Sequence, residues 1–148
     1  MTRYEMIQAL DVAHTSAMTP EDAAAHLNTT TTQRYVEIDA KEVIRVLIDA
    51  EQLIPIQAAA ADEANPLHAV ALQGASLFRA AREYSVPLRM WPGQKDYGYL
   101  EAMKTAGLVS QASFDTIAAM SVENVSIAEN DGVYPVVPGD IEHARELP

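Results

Sequence analysis

The sequence contains no cysteine, and this absence removes several kinds of chemistry. Disulfide bonds, thiolate metal ligands and thiol nucleophiles are all excluded. Positive charge is also scarce, because 10 Lys and Arg residues stand against 21 Asp and Glu residues and give a net charge of −11. Such a chain repels nucleic-acid phosphates and anionic lipid headgroups. We therefore expect neither nucleic acid nor a membrane surface among its partners.

Long hydrophobic runs are missing too. No apolar run approaches the roughly 18 to 20 residues of a membrane span, and Glu5 and Asp11 make the N-terminal segment unlike a secretory signal. What the chain does have is 148 residues of 49% hydrophobic composition. This length and composition are typical of one globular domain that buries a core.

Motifs for catalysis or metal binding are absent. The four histidines are far apart in the sequence, and no HExxH, GxSxG, phosphate-binding loop or GxGxxG motif occurs. The segment 130–132 is a turn signal that lacks the oxygen ligands of a calcium loop. We therefore predict no catalytic residue, cofactor, metal site or small-molecule ligand. A small enzyme of unknown type stays open as a third alternative.

A central helix over about 66–84 is the strongest structural prediction. Asn65 is a good N-cap, and Pro66 suits the first helical position. Apolar residues then recur at three- and four-residue steps along one face. Pro87 ends the pattern, because it disfavours helical geometry at the residue before it.

Further helices are predicted from capping residues and hydrophobic periodicity. They cover about 2–17, 20–28 after Thr19, 40–54 after Asp39, 56–64, 99–106 with Gly107 as a left-handed cap, 111–120 after Ser110, one turn within 121–129, and a final helix capped by Asp140. The expected fold class is mostly α. It is a single small domain of several short helices around the central one, with an N-terminal arm or short helix over 1–18 and the helical domain over 19–148.

One or two short extended segments complete this prediction. Residues 33–38 follow a threonine run and contain β-branched and aromatic side chains, and residues 133–137 have a similar composition. The two segments could pair as strands, and a solvated loop is the alternative for the threonine run.

Aromatic residues concentrate in a loop that we predict over 86–99. It carries Met90, Trp91, Tyr97 and Tyr99 between prolines and glycines. Rigid aromatic side chains with polar edges are favoured anchors of protein interfaces. These four residues are therefore candidate interface residues, and the alternative is that Trp91 covers one end of the helical core.

The N-terminal arm supplies two more candidate interface residues, Tyr4 and Ile7. They lie on one side of the predicted first helix, at the spacing of a helical turn. The arm can pack on its own domain or contact a neighbouring subunit, and the sequence favours neither option.

Part of the chain resembles a largely uncharacterised group of small tailed-bacteriophage proteins. The resemblance covers about residues 19–145 and rests on five segments: 20–28, 58–65, 99–109, 126–129 and 137–145. The N-terminal arm lies outside it, and the 88–99 loop is elaborated relative to the group. No catalytic residue comes with these motifs. The resemblance implies a phage protein located in the virion, or in the host cytoplasm during assembly.

Two hypotheses of function follow. The first is a non-enzymatic virion or tail-associated structural or accessory protein, which contacts other virion or tail proteins or further copies of itself. The second is a soluble acidic phage regulatory protein that binds a basic host protein through its negative surface. Salt discriminates between them, since exposed charge pairs are screened at high ionic strength.

Overall fold

The computed structural model describes every residue from Met1 to Pro148. Nine α-helices, one π-helical turn and two β-strands confirm the predicted mostly α fold class. In chain order they are α1 (Arg3–Leu10), the π-helical turn (Asp11–Thr15), α2 (Pro20–Thr29), β1 (Thr31–Tyr35), α3 (Ala40–Asp49), α4 (Leu53–Ala61), α5 (His68–Glu83), α6 (Lys95–Thr105), α7 (Gln111–Met120), β2 (Val122–Ser126), α8 (Ile127–Asn130) and α9 (Pro138–Arg145). None of these helices combines the length and the hydropathy that crossing a membrane requires.

Contacts concentrate within two compact units. Unit 1 consists of Met1–Arg34 together with Asn124–Pro148, and unit 2 is the continuous stretch Tyr35–Glu123. Each unit has its own hydrophobic core. The segment 1–18, predicted as an arm or short helix, belongs to unit 1, where α1 packs on α9.

The predicted central helix is α5, in unit 2. Its buried face carries Ala71, Gly74, Phe78 and Ala81 and packs on α4 and α6. Its first residue is two positions later than predicted, because Asn65 accepts a hydrogen bond from the Leu67 backbone N–H at 2.8 Å and forms a turn before the helix.

The predicted helix over 40–54 is wrong in its last third, where the chain turns and a new helix begins. Asp39 does cap α3, accepting from the Lys41 N–H at 2.8 Å, but α3 ends at Asp49. Glu51 then adopts a positive φ of 58°, which turns the chain. Leu53 begins α4, and Pro55 falls in its first turn, where a missing N–H costs no helical hydrogen bond.

The end of the aromatic loop was also misplaced. Helix α6 begins at Lys95, four residues earlier than predicted, so Tyr97 lies on a helix instead of in the loop, and Tyr99 follows it on the same helix. Two predictions for the residues after α6 are confirmed. Gly107 has a φ of 80° after α6, and the Ser110 hydroxyl caps α7 by accepting from the Ser113 N–H at 3.1 Å.

The strand partner of β1 is β2, and not 133–137 as the sequence suggested. Hydrogen bonds at both ends show antiparallel pairing: the Val36 N–H donates to the Ser121 carbonyl at 2.8 Å, and the Ile127 N–H donates to the Thr30 carbonyl at 3.2 Å. The single helical turn expected within 121–129 is α8, which begins at Ile127 with a capping box formed by Ser126 and Glu129.

Side chains take the place of a strand partner for residues 133–137. The Asn28 amide pairs with the Val136 backbone, donating to its carbonyl at 2.6 Å and accepting from its N–H at 2.9 Å. Arg3 donates to the carbonyls of Val133 and Pro135 at 3.2 and 2.7 Å. Most backbone groups of this segment thus have hydrogen-bond partners without a sheet.

Unit 1 also contains an ion pair whose carboxylate is buried and whose guanidinium is partly exposed. Asp11, at the start of the π-helical turn, is 3% exposed and accepts two hydrogen bonds from Arg145 of α9, at 2.7 and 2.8 Å. A third comes from Thr15 at 2.6 Å. Helix α9 begins at Pro138, and the predicted cap Asp140 lies in its first turn, where its carboxylate accepts from the Val137 N–H at 3.0 Å.

Candidate functional site

A short antiparallel pairing in unit 2 brings two segments, 35–38 and 88–91, side by side. Its centre is a bridge between Ile38 and Leu88, whose N–H groups each donate to the other's carbonyl at 2.8 Å. Because side chains alternate along extended chain, every second residue shares a face. Ile38, Leu88 and Met90 point inward and are at most 2% exposed.

The outward face of this pairing carries four side chains, which we call the aromatic ladder: Tyr35, Glu37, Arg89 and Trp91. The rings of Tyr35 and Trp91 are parallel to within 1°, with centroids 5.5 Å apart. Next to them, the Arg89 guanidinium contacts the Glu37 carboxylate at 3.0 Å. Both contacts connect residues on opposite strands, which is the geometry in which cross-strand pairs stabilise each other.

The aromatic ladder is held from behind. Met90 is fully buried, and its carbonyl accepts a hydrogen bond from the buried Ser121 hydroxyl at 2.7 Å. The Arg89 N–H donates to the Asp96 carboxylate at 2.9 Å. These contacts hold the segment 88–91, and the Val36 N–H bond to the Ser121 carbonyl holds the segment 35–38. We therefore expect the rings to lose little conformational entropy on binding.

The exposed fraction of the rings matters for this site. Tyr35 is 54% exposed although it is stacked, and Trp91 is partly exposed. Pro92 and Gly93, which follow Trp91, are exposed too. The ladder thus presents apolar ring surface together with a neutralised charge pair, a combination typical of interface cores, where unpaired charges are depleted.

The six candidate interface residues differ in burial and lie on different elements. Trp91 lies on the aromatic ladder, whereas Met90 beside it is buried in the core. Tyr97 and Tyr99 are partly buried on α6, and the Tyr97 ring packs on Phe114 with centroids 5.3 Å apart. The four residues are close in the chain but not on one surface. Alternation along the extended segment turns Met90 inward and Trp91 outward, and the two tyrosines belong to the helix that follows.

The two N-terminal candidates lie in unit 1. Ile7 is fully buried in its core. Tyr4 is 37% exposed, and its ring packs against His143 of α9 with centroids 4.3 Å apart. The Arg3 guanidinium sits 5.9 Å from the centre of the same ring. Neither residue presents a free aromatic surface comparable to the Tyr35–Trp91 pair.

Tyr35 and the Glu37–Arg89 pair were missed by the sequence analysis. The signal was present, because residues 35–39 alternate between exposed and buried positions as Tyr-Val-Glu-Ile-Asp. What the sequence could not give is the partner segment 88–91, which lies far away in the chain. Only the pairing of the two segments creates the ladder.

The site carries no sign of metal chemistry. No group of three His, Asp or Glu side chains comes together anywhere in the structure in a way that could hold a metal ion. Comparisons of the chain with protein-family models, with curated proteins and with solved structures found no match.

Proposed function

We propose that this chain is a non-enzymatic binding protein, and specifically a phage virion or tail-associated structural or accessory component, which contacts its partners through the aromatic ladder. The stacked, exposed and preformed Tyr35–Trp91 pair is the observation that carries the proposal. Aromatic residues backed by a rigid scaffold are the side chains that most often dominate binding energy at interfaces. The assignment to a phage rests on the sequence resemblance over about 19–145.

Localisation is the first experiment. Purified particles of the parent phage should contain peptides of this chain at a constant copy number per particle, measured by quantitative mass spectrometry. If the chain is instead found only free in the infected cell, the virion assignment is overturned.

The aromatic ladder is tested by substitution. We expect Tyr35→Ala and Trp91→Ala each to lower the amount of chain in particles about tenfold or more, since removal of an aromatic anchor commonly costs about 2 kcal/mol of binding energy or more. The fold should change little, because an exposed cross-strand pair contributes only about 0.2–1 kcal/mol to stability.

Tyr84→Ala is the matched control. Tyr84 is 72% exposed, makes no ring contact and also belongs to unit 2. We expect its variant to enter particles normally. Thermal unfolding of all three variants checks that the fold is kept. Equal incorporation of Tyr35→Ala, Trp91→Ala and Tyr84→Ala would contradict a role for the ladder in assembly.

A second candidate function, the acidic regulator that binds a basic host protein, is supported by the net charge of −11. The two candidates differ in their response to salt. Binding through the rings should persist at high ionic strength, whereas attraction between exposed charges is screened beyond about 8 Å at physiological salt. Trp91 is the only tryptophan, so its fluorescence reports contact at the ladder directly.

A further inference from the structure

A cleft of about 330 Å³ lies between α3, α4 and α5 in unit 2, away from the residues of the aromatic ladder. Its apolar walls include Ile44 of α3, Leu53 of α4, and Leu72 and Phe78 of α5. Small-molecule sites are mostly apolar clefts of roughly 300–1,000 Å³ with a few polar groups. The cleft therefore lies at the small end of that range.

The alanines of α4 and α5 explain why this space is not filled. Ala60 and Ala61 of α4 and Ala75 of α5 line the cleft, and each carries only a methyl group. Larger side chains at such facing positions would interdigitate and close the gap. In the sequence, the alanine run indicates a helix and gives no sign of the cleft.

Every polar side chain that lines the cleft can donate a hydrogen bond. Gln57, Ser76, Arg79 and Arg82 line it, and their side chains make no hydrogen bond or ion pair within the protein. By contrast, Arg89 of the aromatic ladder and Arg145 of unit 1 each form an ion pair with a carboxylate. Arg79 and Arg82 are three residues apart, so they are neighbours on the surface of α5.

We propose that this cleft binds a small amphipathic carboxylate, with its apolar body against Leu72 and Phe78 and its anionic group at Arg79 and Arg82. Guanidinium groups match the planar geometry of a carboxylate and can hold it by two parallel hydrogen bonds. The apolar walls stabilise the rest of the ligand by removing its hydrocarbon surface from water. This site is separate from the proposed assembly function and does not depend on it.

The negative net charge of the chain makes anion binding at this cleft a specific prediction. A chain with a net charge of −11 attracts cations and repels anions in general. A preference for an anion over a cation of the same length must therefore come from a local cluster of positive charge. Octanoate and octylammonium provide this comparison, because they share a hydrocarbon chain and differ in the sign of the head group.

The test is an NMR titration of the full chain with each of the two compounds. We expect octanoate to shift amide resonances of α4, α5 and the cleft side of α3, and to bind more tightly than octylammonium at those resonances. Arg79→Gln and Arg82→Gln should each weaken octanoate binding about three- to tenfold, the loss that accompanies removal of one charge-assisted hydrogen bond at an exposed site.

Arg45→Gln is the matched control. Arg45 lies on α3, does not line the cleft, and pairs with Asp49 at 3.1 Å with both side chains well exposed. Its substitution makes the same change in net charge, and we expect octanoate affinity to stay within about twofold of the unchanged chain, as for other exposed charge pairs. Ala61→Leu, at an exposed position of α4, adds bulk at the cleft and should weaken binding while both arginines remain.

Three results would overturn the proposal. The first is octanoate affinity that survives both Arg79→Gln and Arg82→Gln. The second is equal or tighter binding of octylammonium at the cleft resonances. The third is a set of octanoate-induced shifts centred on other helices, or absent at millimolar octanoate. Thermal unfolding of each variant shows whether it is folded, so a loss of binding can be assigned to the cleft.

Discussion

The side chain of Met103 occupies the space that a Cβ atom at position 74 would need. A methyl group there would meet the sulfur and terminal carbon of Met103, which is fully buried on α6. Glycine inside a helix ordinarily costs roughly 0.5–1 kcal/mol relative to alanine. At Gly74 this cost is offset by the close packing of α5 on α6.

We expect Gly74→Ala to lower the free energy of unfolding by about 1 kcal/mol, since overpacking a core typically costs about 1–3 kcal/mol and the helix regains part of it. The effect should disappear or reverse when Met103→Ala is present, because the obstructing atoms are then gone. Urea unfolding of the two single variants and the double variant measures this coupling.

Gly98→Ala is the control for helix propensity. Gly98 lies in α6, is exposed, and has no heavy atom near the position of an added Cβ. The same substitution should therefore raise stability there by about 0.5–1 kcal/mol. A destabilising Gly98→Ala, or a Gly74→Ala effect that is unchanged by Met103→Ala, would contradict the packing explanation.

At the scale of elements, residue 136 of the extended segment 133–137 depends on one side chain. The Asn28 amide supplies both hydrogen bonds of the buried residue Val136. We expect Asn28→Ala to lower the free energy of unfolding by about 1–3 kcal/mol, because two buried backbone groups lose their partners. Asn130→Ala, at an exposed residue of α8, should change it by less than about 0.5 kcal/mol. Chemical denaturation measures both, and similar losses in the two variants would argue against this role of Asn28.

Local signals explain which elements could be predicted from the sequence. Helices α2, α3 and α7 each begin directly after a capping residue. These residues, Thr19, Asp39 and Ser110, each accept a hydrogen bond from a backbone N–H of the helix that follows. Periodicity also located α5. In each case the determining interactions lie within a few residues, where one sequence displays them.

Non-local contacts explain what the sequence did not reveal. The pairing of β1 with β2, the Asn28 contact with Val136 and the pairing of Ile38 with Leu88 all join residues that are distant in the chain. The candidate site was therefore predicted only in part. Trp91 was identified because its loop is rich in aromatic residues. Tyr35 belongs to the site only because the fold brings residue 91 next to it.

At the scale of the whole chain, the two units should differ in their response to acid. The hydrogen bonds from Arg145 hold the pKa of Asp11 below its ordinary value, and Arg3 does the same for the pKa of Asp140. Both carboxylates lie in unit 1. A carboxylate with a lowered pKa in the folded state stabilises that state above its unfolded pKa, about 3.9 for aspartate.

This stabilisation is lost as the pH falls through the lowered pKa values. We therefore expect unit 1 to unfold before unit 2 in acid, at a pH below about 4. Methyl NMR signals of Ile141 in unit 1 and Ile117 in unit 2 follow the two units separately. Asp11→Asn should make unit 1 less stable at neutral pH and reduce its response to acid, whereas Asp131→Asn, in an exposed turn, should not. If the methyl signals of the two isoleucines report unfolding at the same pH, the result would be evidence against this difference.

The discontinuity of unit 1 has a consequence for biosynthesis. Residues 1–34 complete their core with residues 124–148, so many contacts of unit 1 have a long sequence separation and close a large loop. On the ribosome, unit 2 can fold as soon as it emerges, whereas Ile7 and Leu27 stay without their core until the last helix has been translated. We therefore expect nascent chains to expose apolar side chains of residues 1–34 until residues 124–148 have been made, and exposed apolar surface of this kind favours chaperone binding.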